Sequence, residues 1–336
     1  MREPLSPEVR VDPLTGLRTI IAADRAQRPG AGLAVAAPET IDREADPFAE
    51  GHEDRTPPEL LAVRPGGGAP DGPGWTVRVI PNRFPALEAV GSDGSATAPE
   101  ANPELFMALP ARGAHEVIVN APEAVSTLAA LPAQRTLDAV AVWRERMAHH
   151  AAQGAACVHV MVNERPEAGA SQAHTHAQLF ALDFVPAQIA RERERFTAYA
   201  ARTMGSNLLG DYVQEEVRRR ERVVAIDDEA VLIAPYGSRF PFQLMVAPRA
   251  PRARFEDGGP TGAALLHGAL GRLARLLGHP PPLNLWVRTA PRGADPFGWR
   301  IDVVPRLFPQ AGLELGTGLA LNPVAPEQAA DALREA

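Results

Sequence analysis

Two stretches of this chain run through the same order of features, and any fold it adopts has to accommodate both. VRVIPNRFPAL, residues 77–87, and AVLIAPYGSRFPFQLMVAPR, residues 230–249, each read as a strand, a proline-bounded turn and an Arg-Phe-Pro triplet. Each lies upstream of a long helical pattern and then of further strand patterns. Self-similarity of this kind marks a duplicated unit, so we expect an α+β chain of two like halves, 1–190 and 191–336. At 336 residues each half is long enough to bury its own core.

The periods place the elements. HEVIVN (115–120), ACVHVMVNE (156–164) and THAQLFALDF (175–184) alternate or run apolar as strands do, which implies a central sheet. Helical spacing covers 133–152, with Leu137, Val140, Ala141, Met147 and Ala148 on one side and Arg144 able to snorkel from it. It also covers 262–278, with Leu266, Ala269, Leu270, Leu273 and Leu277 on one face. Residues 186–204 and 208–222 are charged with sparse apolar positions and read as surface helices, whose RERER and RRRER runs are expected to be solvated. RPGGGAPDGPG (64–74) and GSDGSATAPEANP (91–103) read as exposed loops.

Charge and composition narrow the chemistry. The formal net charge of −7 gives no bulk attraction to nucleic acid, so a polyanion site has to be local. No lysine occurs anywhere, which excludes a Walker-type P-loop, pyridoxal Schiff bases and lysine-dependent aldolases. The single cysteine, Cys157, excludes an intramolecular disulfide and any multi-cysteine metal site, and suits a reducing compartment. The start, MREPLSPEVRVDP, lacks the apolar stretch of a signal peptide, and no run approaches the roughly 20 apolar residues of a membrane span. The expected setting is cytoplasmic, with no membrane partner.

GASQAHTHAQ, residues 169–178, carries the chemistry. In an extended strand His174, His176 and Gln178 would project together from alternate positions. Such a pair serves three purposes equally well on spacing alone: satisfied core histidines, metal ligands, or a nucleophile with its support. No His-x-His-x-Asp-His pattern accompanies it, and the neighbours favour phosphoryl chemistry. Gly169 permits close backbone approach, the Ser171 hydroxyl and the Gln178 amide can donate to phosphoryl oxygens, and a neutral imidazole can attack phosphorus. In the second half the corresponding strand is GWRIDVVPR (298–306), where Arg300 and Asp302 take the alternate positions, so one active centre per chain follows.

These segments resemble the galactose-1-phosphate uridylyltransferase family, a branch of the histidine-triad superfamily. VRVDPLTGLRTIIAADRAQRP, DPFAEGHEDRTPPE, VIPNRFPAL, HEVIVNAPE, NERPEAGASQAHTHAQ, PYGSRFPFQLMVAPR and AGLELGTGLALNPVAPEQAADALR stand in that family's order over nearly the whole chain. The resemblance implies two fused histidine-triad-like halves, mainly antiparallel sheet with packed helices, pairing as a homodimer with the site near the interface. It implies double displacement, in which a histidine takes the nucleotidyl group of a nucleotide sugar and passes it to a sugar 1-phosphate. His176 falls at the nucleophile, Ser171 and Gln178 at donors to the transferring phosphoryl group, Arg25 and Arg28 at phosphate-neutralising arginines, Asn82 at a nucleotide contact and Asn163 near the phosphates or sugar.

The departures are as informative. Where many members bind a structural zinc, this chain has Asp46, Ala49, Ala124 and His174, so no metal is expected and His174 is free to bond a phosphate or support the loop. A rebuilt site drawing on His52 and His115 beside Asp46 is the alternative. Thr175 stands between the histidines where proline is usual, and restores a backbone donor. Where galactose-specific members place charged and aromatic residues, the loop AGLELGTGLAL offers Gly312, Leu315, Thr317 and Gly318, which leaves open a nucleotide-sugar phosphorylase of the ADP-glucose type, or a binding module without turnover. Uracil and adenine both remain open as the base.

Overall fold

β-Branched and apolar residues dominate the stretches that pair. In the computed structural model, which describes residues 6–23, 35–89 and 105–336, these stretches form one ten-stranded antiparallel sheet and one small three-stranded sheet. Arg25, Arg28 and the expected loop at 91–103 lie outside the described residues.

The first set of strands is β3 (Leu61–Val63), β4 (Val77–Pro81), β5 (Gly113–Val119), β6 (Cys157–Glu164) and β7 (His176–Leu182), with helix α1 (Ala133–Ala152) between β5 and β6. The second is β8 (Val223–Ile226), β9 (Ala230–Ile233), β10 (Leu244–Pro248), β11 (Leu283–Arg288) and β12 (Arg300–Pro305), with α4 (Ala263–Leu277) between β10 and β11. Between the sets stand α2 (Ala187–Arg202) and α3 (Leu208–Arg219). The spatial order is β3-β4-β5-β7-β6-β11-β12-β10-β9-β8. Read inward from either end it is the same order, and the two sets meet where β6 pairs with β11, Val162 opposite Leu285. The echo in the sequence is therefore an echo in strand order. β1 (Glu8–Val11), β2 (Arg18–Ile21) and β13 (Ala320–Asn322) make the small sheet, and α5 (Gly312–Thr317) and α6 (Pro326–Glu335) flank β13.

Alternation along the strands separates two chemistries. One face of the large sheet presents Ala177, Leu179, Val160, Val162, Leu285 and Ile301 to α1 and α4 in the main core. All five apolar positions expected on 262–278 are buried there, and each large side chain so buried contributes about 1.5–3 kcal/mol. The other face carries His176, Gln178 and Phe180 on β7, whose cross-strand neighbours are Val119, Val117 and His115 on β5.

The buried face of α1 differs from the apolar stripe expected for it. Ala141 and Ala148 are exposed, whereas Trp143, Arg146 and His150 are buried. The reason is pairing: Arg146 donates to both oxygens of buried Glu116 at 2.9 and 2.6 Å, His150 bonds the same carboxylate at 2.7 Å, and the Trp143 indole donates to Asn120. Arg144 does not snorkel; its guanidinium lies 3.5 Å from the centre of the Phe255 ring and donates to the Thr261 carbonyl. The charged runs are likewise not wholly solvated. Glu192 is completely buried and ion-paired to Arg288 and Arg300, and Arg222 is buried between Glu216 and Glu327. Among the described residues no helix is long and apolar enough to cross a membrane.

Candidate active site

The segment between β6 and β7 has to reverse direction in eleven residues. Arg165 and Gly169 supply left-handed turns at φ 72° and 89°, bracketing one short helical turn, Pro166–Ala168. Thr175 then donates its backbone N–H to the Val125 carbonyl at 2.8 Å, a bond that proline at this position would forbid. β7 begins only at His176.

That late start separates the two histidines. His174, expected to share a face with His176 and Gln178, lies before the strand and does not line the cavity, although the Phe48 ring meets both imidazoles, with centroids 6.2 and 5.4 Å away. Its Nδ1 is 2.6 Å from Asp46 Oδ2 and its Nε2 is 2.8 Å from the Ala121 carbonyl, with 1% of the residue exposed. Both ring nitrogens meet acceptors, which the doubly protonated ring satisfies in full. Asp46 also accepts the Phe48 N–H at 2.9 Å, and although burial opposes it, the bond from His174 helps hold this carboxyl below its usual range.

His176 is oriented by its own segment. Its Nδ1 lies 2.8 Å from the His174 carbonyl. A carbonyl only accepts, so Nδ1 carries the proton and Nε2 keeps its lone pair. Burial pushes the imidazole below its ordinary pKa, which keeps the ring neutral near pH 7. Phe48 meets the ring at an angle of 62°, centroid to centroid 5.4 Å. His176 is 4% exposed yet lines a cavity of about 240 Å³, together with Ser171, Gln178, Asn82, Arg55 and Thr56.

Gln178 is fixed from behind by a residue that spacing did not single out as part of the site. His115 accepts the Ala86 N–H at Nδ1 (3.2 Å), so its Nε2–H donates to Gln178 Oε1 at 3.0 Å. The Gln178 amide N–H groups are then left for the cavity. Phe180 stacks on His115 with centroids 4.0 Å apart, and Asn82, whose Oδ1 accepts the Phe84 N–H at 2.9 Å, sets its amide nitrogen 3.0 Å from His115 Nε2, a contact in which neither nitrogen accepts. Across the strand pair Gln178 faces Val117, and His115 reaches it diagonally from two residues along β5; sequence spacing alone carries no such signal. Arg55 and Thr56 were also unforeseen, although they lie within one of the resembling segments.

Two further expected residues stand apart from the cavity. Asn163 does not line it; its Oδ1 accepts from Asn284 on β11 at 2.8 Å, and Asn284 also holds the Ala168 carbonyl. Gly169 shapes the turn leading to Ser171. Beneath the segment, fully buried Glu164 accepts the Leu128 N–H at 2.6 Å and the Thr127 hydroxyl at 2.7 Å, and desolvation pushes its carboxyl up to about 7.

The four positions where zinc was considered do not suit a metal. Ala49 and Ala124 offer no donor, Asp46 and His174 are spent on each other, and His52 turns its Nδ1 to the Asp46 carbonyl at 2.7 Å. His115 serves Gln178 instead. Among the described residues no group of three or more histidine, cysteine or acidic side chains is placed to hold an ion.

Comparison with known proteins agrees with this architecture. Residues 2–186 match the family model for galactose-1-phosphate uridyl transferase, N-terminal domain, and residues 136–336 match a domain of unknown function, DUF4921. An ADP-glucose phosphorylase from Arabidopsis thaliana is 28% identical over 98% of this chain and 93% of its own length. A galactose-1-phosphate uridylyltransferase from Cryptococcus neoformans var. neoformans serotype D is 30% identical over 77% of this chain and 74% of its own. The crystal structure of an Arabidopsis thaliana ADP-glucose phosphorylase with bound ADP-glucose superposes with a TM-score of 0.78 at 26% identity, covering 98% of this chain and 99% of that one. With a family model spanning residues 2–186 and a sheet, cavity and histidine arranged as described, the chain belongs to the galactose-1-phosphate uridyl transferase family.

Proposed function

We propose that the protein transfers the nucleotidyl group of a nucleotide sugar through a covalent nucleotidyl-His176 intermediate. The observation that carries this reading is the 2.8 Å bond from His176 Nδ1–H to the His174 carbonyl, which leaves an unprotonated Nε2 on a ring lining the Ser171–Gln178 cavity. In the first half-reaction Nε2 forms a bond to the α-phosphorus as the bond to the bridging oxygen breaks, and the sugar 1-phosphate leaves with both electrons of that bond. Ser171 and the free Gln178 amide donate to the oxygens on which charge builds. Arg25 and Arg28 are proposed to offset phosphate charge, and Asn82 to contact the nucleoside.

In the second half-reaction a phosphate oxygen of the acceptor attacks the phosphorus and Nε2 leaves with its lone pair restored. We take the acceptor to be a hexose 1-phosphate and the group to be uridylyl, as the family name describes. The end-to-end likeness to an ADP-glucose phosphorylase favours a second reading, in which inorganic phosphate is the acceptor and adenylyl the group. The exposed apolar side chains Phe84, Leu105, Phe106, Met107 and Leu109 support association as a homodimer.

The test is product analysis. UDP-glucose and ADP-glucose, each labelled in the nucleotidyl phosphate, are incubated with galactose 1-phosphate or with inorganic phosphate. Exchange only with the sugar phosphate supports the transferase, and nucleoside diphosphate formed only with phosphate supports the phosphorylase. No turnover with either, by folded protein that binds the nucleotide sugar, would mean a binding module.

A further inference from the structure

The second half of the sheet has kept a cavity although it has lost the histidine. By strand order β12 occupies in the second set the place of β7 in the first, and Arg300 and Asp302 stand where His176 and Gln178 stand. Beside them a cavity of about 530 Å³ opens on the same face of the sheet. This size suits a small organic molecule and far exceeds what one inorganic ion fills.

Its floor is charged but internally balanced. Arg300 bonds Asp302 at 3.0 Å and Glu192 at 3.0 Å, and Arg288 lies 3.3 Å from Glu192, so two guanidiniums face two carboxylates. Its rim is not balanced. Arg239 and Arg306 both line the cavity, and among the described residues neither has a carboxylate within ion-pair distance. The Arg306 guanidinium lies 5.4 Å from the Phe240 ring, and Arg239 donates to the Gly318 carbonyl at 3.2 Å. Their Nε–H groups, and the indole N–H of Trp286, are buried with no partner. Asp12, the remaining acid of the lining, accepts the N–H groups of Leu14 and Thr15 through Oδ1 at 2.7 and 2.8 Å, and its charge also acts on Arg239, so four guanidiniums face three carboxylates and the lining keeps an excess of positive charge.

We propose that this cavity is a second ligand site, for an organic phosphomonoester. A phosphate group suits the excess positive charge of this lining and has enough oxygens to engage both rim guanidiniums, whose planar forks and unpartnered Nε–H groups match them. The Phe180, Phe240 and Trp286 rings supply the apolar wall for the body of the molecule. Nothing on this floor is placed to attack phosphorus, so the site binds without turnover. The proposal stands apart from the reading of the His176 cavity, since it needs neither the nucleophile nor its donors.

The probe is phenyl phosphate, with phenol as the uncharged control, titrated calorimetrically into the full chain, into the double variant Arg239→Met/Arg306→Met, and into His176→Ala. We expect phenyl phosphate to bind the parent and His176→Ala alike, the double variant to bind at least tenfold more weakly with an unchanged melting temperature, and phenol not to bind. Equal affinity in the double variant, loss of binding in His176→Ala, or phenol binding as well as phenyl phosphate would each overturn the proposal. Should the double variant fold poorly, Arg239→Lys and Arg306→Lys are read singly. They keep the charge and lose the fork, so each is expected to weaken binding about threefold, and unchanged affinity in both would again overturn it.

Discussion

Replacing Asp46 with alanine isolates the buried pair that fixes the segment before β7. Asp46 is 6% exposed and His174 1%, and their side chains are 2.6 Å apart. Removing one member of a buried, hydrogen-bonded charge pair costs about 3–5 kcal/mol, because the other is left buried without its counter-charge. The lost acceptor of the Phe48 N–H belongs to the same event and is not added. Urea unfolding of Asp46→Ala should therefore show a loss of about 3–5 kcal/mol. Changing both residues, Asp46→Ala with His174→Leu, should recover part of it, since no uncompensated charge then remains. The pH dependence has a fixed sign. A carboxyl held below its ordinary range contributes stability above its unfolded pKa, and that contribution is lost as pH falls through the folded value. The parent and Asp46→Ala should thus converge in stability on acidification below about pH 4. A loss under 1 kcal/mol near pH 7, or curves that converge only at high pH, would refute the reasoning.

Glu164 gives the opposite sign. Its buried carboxyl is pushed up from 4.5 to about 7, so the folded protein binds the extra proton, and stability should fall by about 3 kcal/mol as pH rises through that window. Glu164→Gln, which keeps an acceptor for Leu128 and cannot ionise, should flatten that slope in pH-resolved urea melts. His115→Ala frees Gln178 from behind, and single-turnover labelling by a nucleotide sugar should slow roughly tenfold with little change in melting temperature. An unchanged labelling rate would show that Gln178 needs no support. Leu270→Ala, in the core far from either cavity, should cost about 2–5 kcal/mol in urea unfolding and leave the labelling rate unchanged.

What was legible in the sequence is what periodicity and order encode. The helix expected at 133–152 is Ala133–Ala152, the α4 face is the one its leucines indicate, and the echoed Arg-Phe-Pro segments correspond to matching strand orders. The errors fall where pairing overrides hydropathy. Arg146 and His150 turn inward because Glu116 awaits them, and Glu192 is buried because Arg288 and Arg300 are. No one-dimensional pattern announces those partners, which lie far away in the chain. His174 falls outside the strand for a local reason. Alternation holds only inside a strand, and the Thr175 N–H bond to Val125 delays the strand by two residues. His115 was recognised as a strand residue, but its role depends on β5 and β7 being neighbours, which is a matter of topology.

The most direct measurement is the mass of the protein after brief exposure to UDP-glucose or ADP-glucose and an alkaline quench, with the modified peptide mapped. We expect a single nucleoside monophosphate adduct on His176, displaced by addition of an acceptor phosphate and absent from His176→Ala. An adduct that persists in His176→Ala, or turnover by the parent with no adduct at any time, would contradict the assignment of His176 Nε2 as the nucleophile.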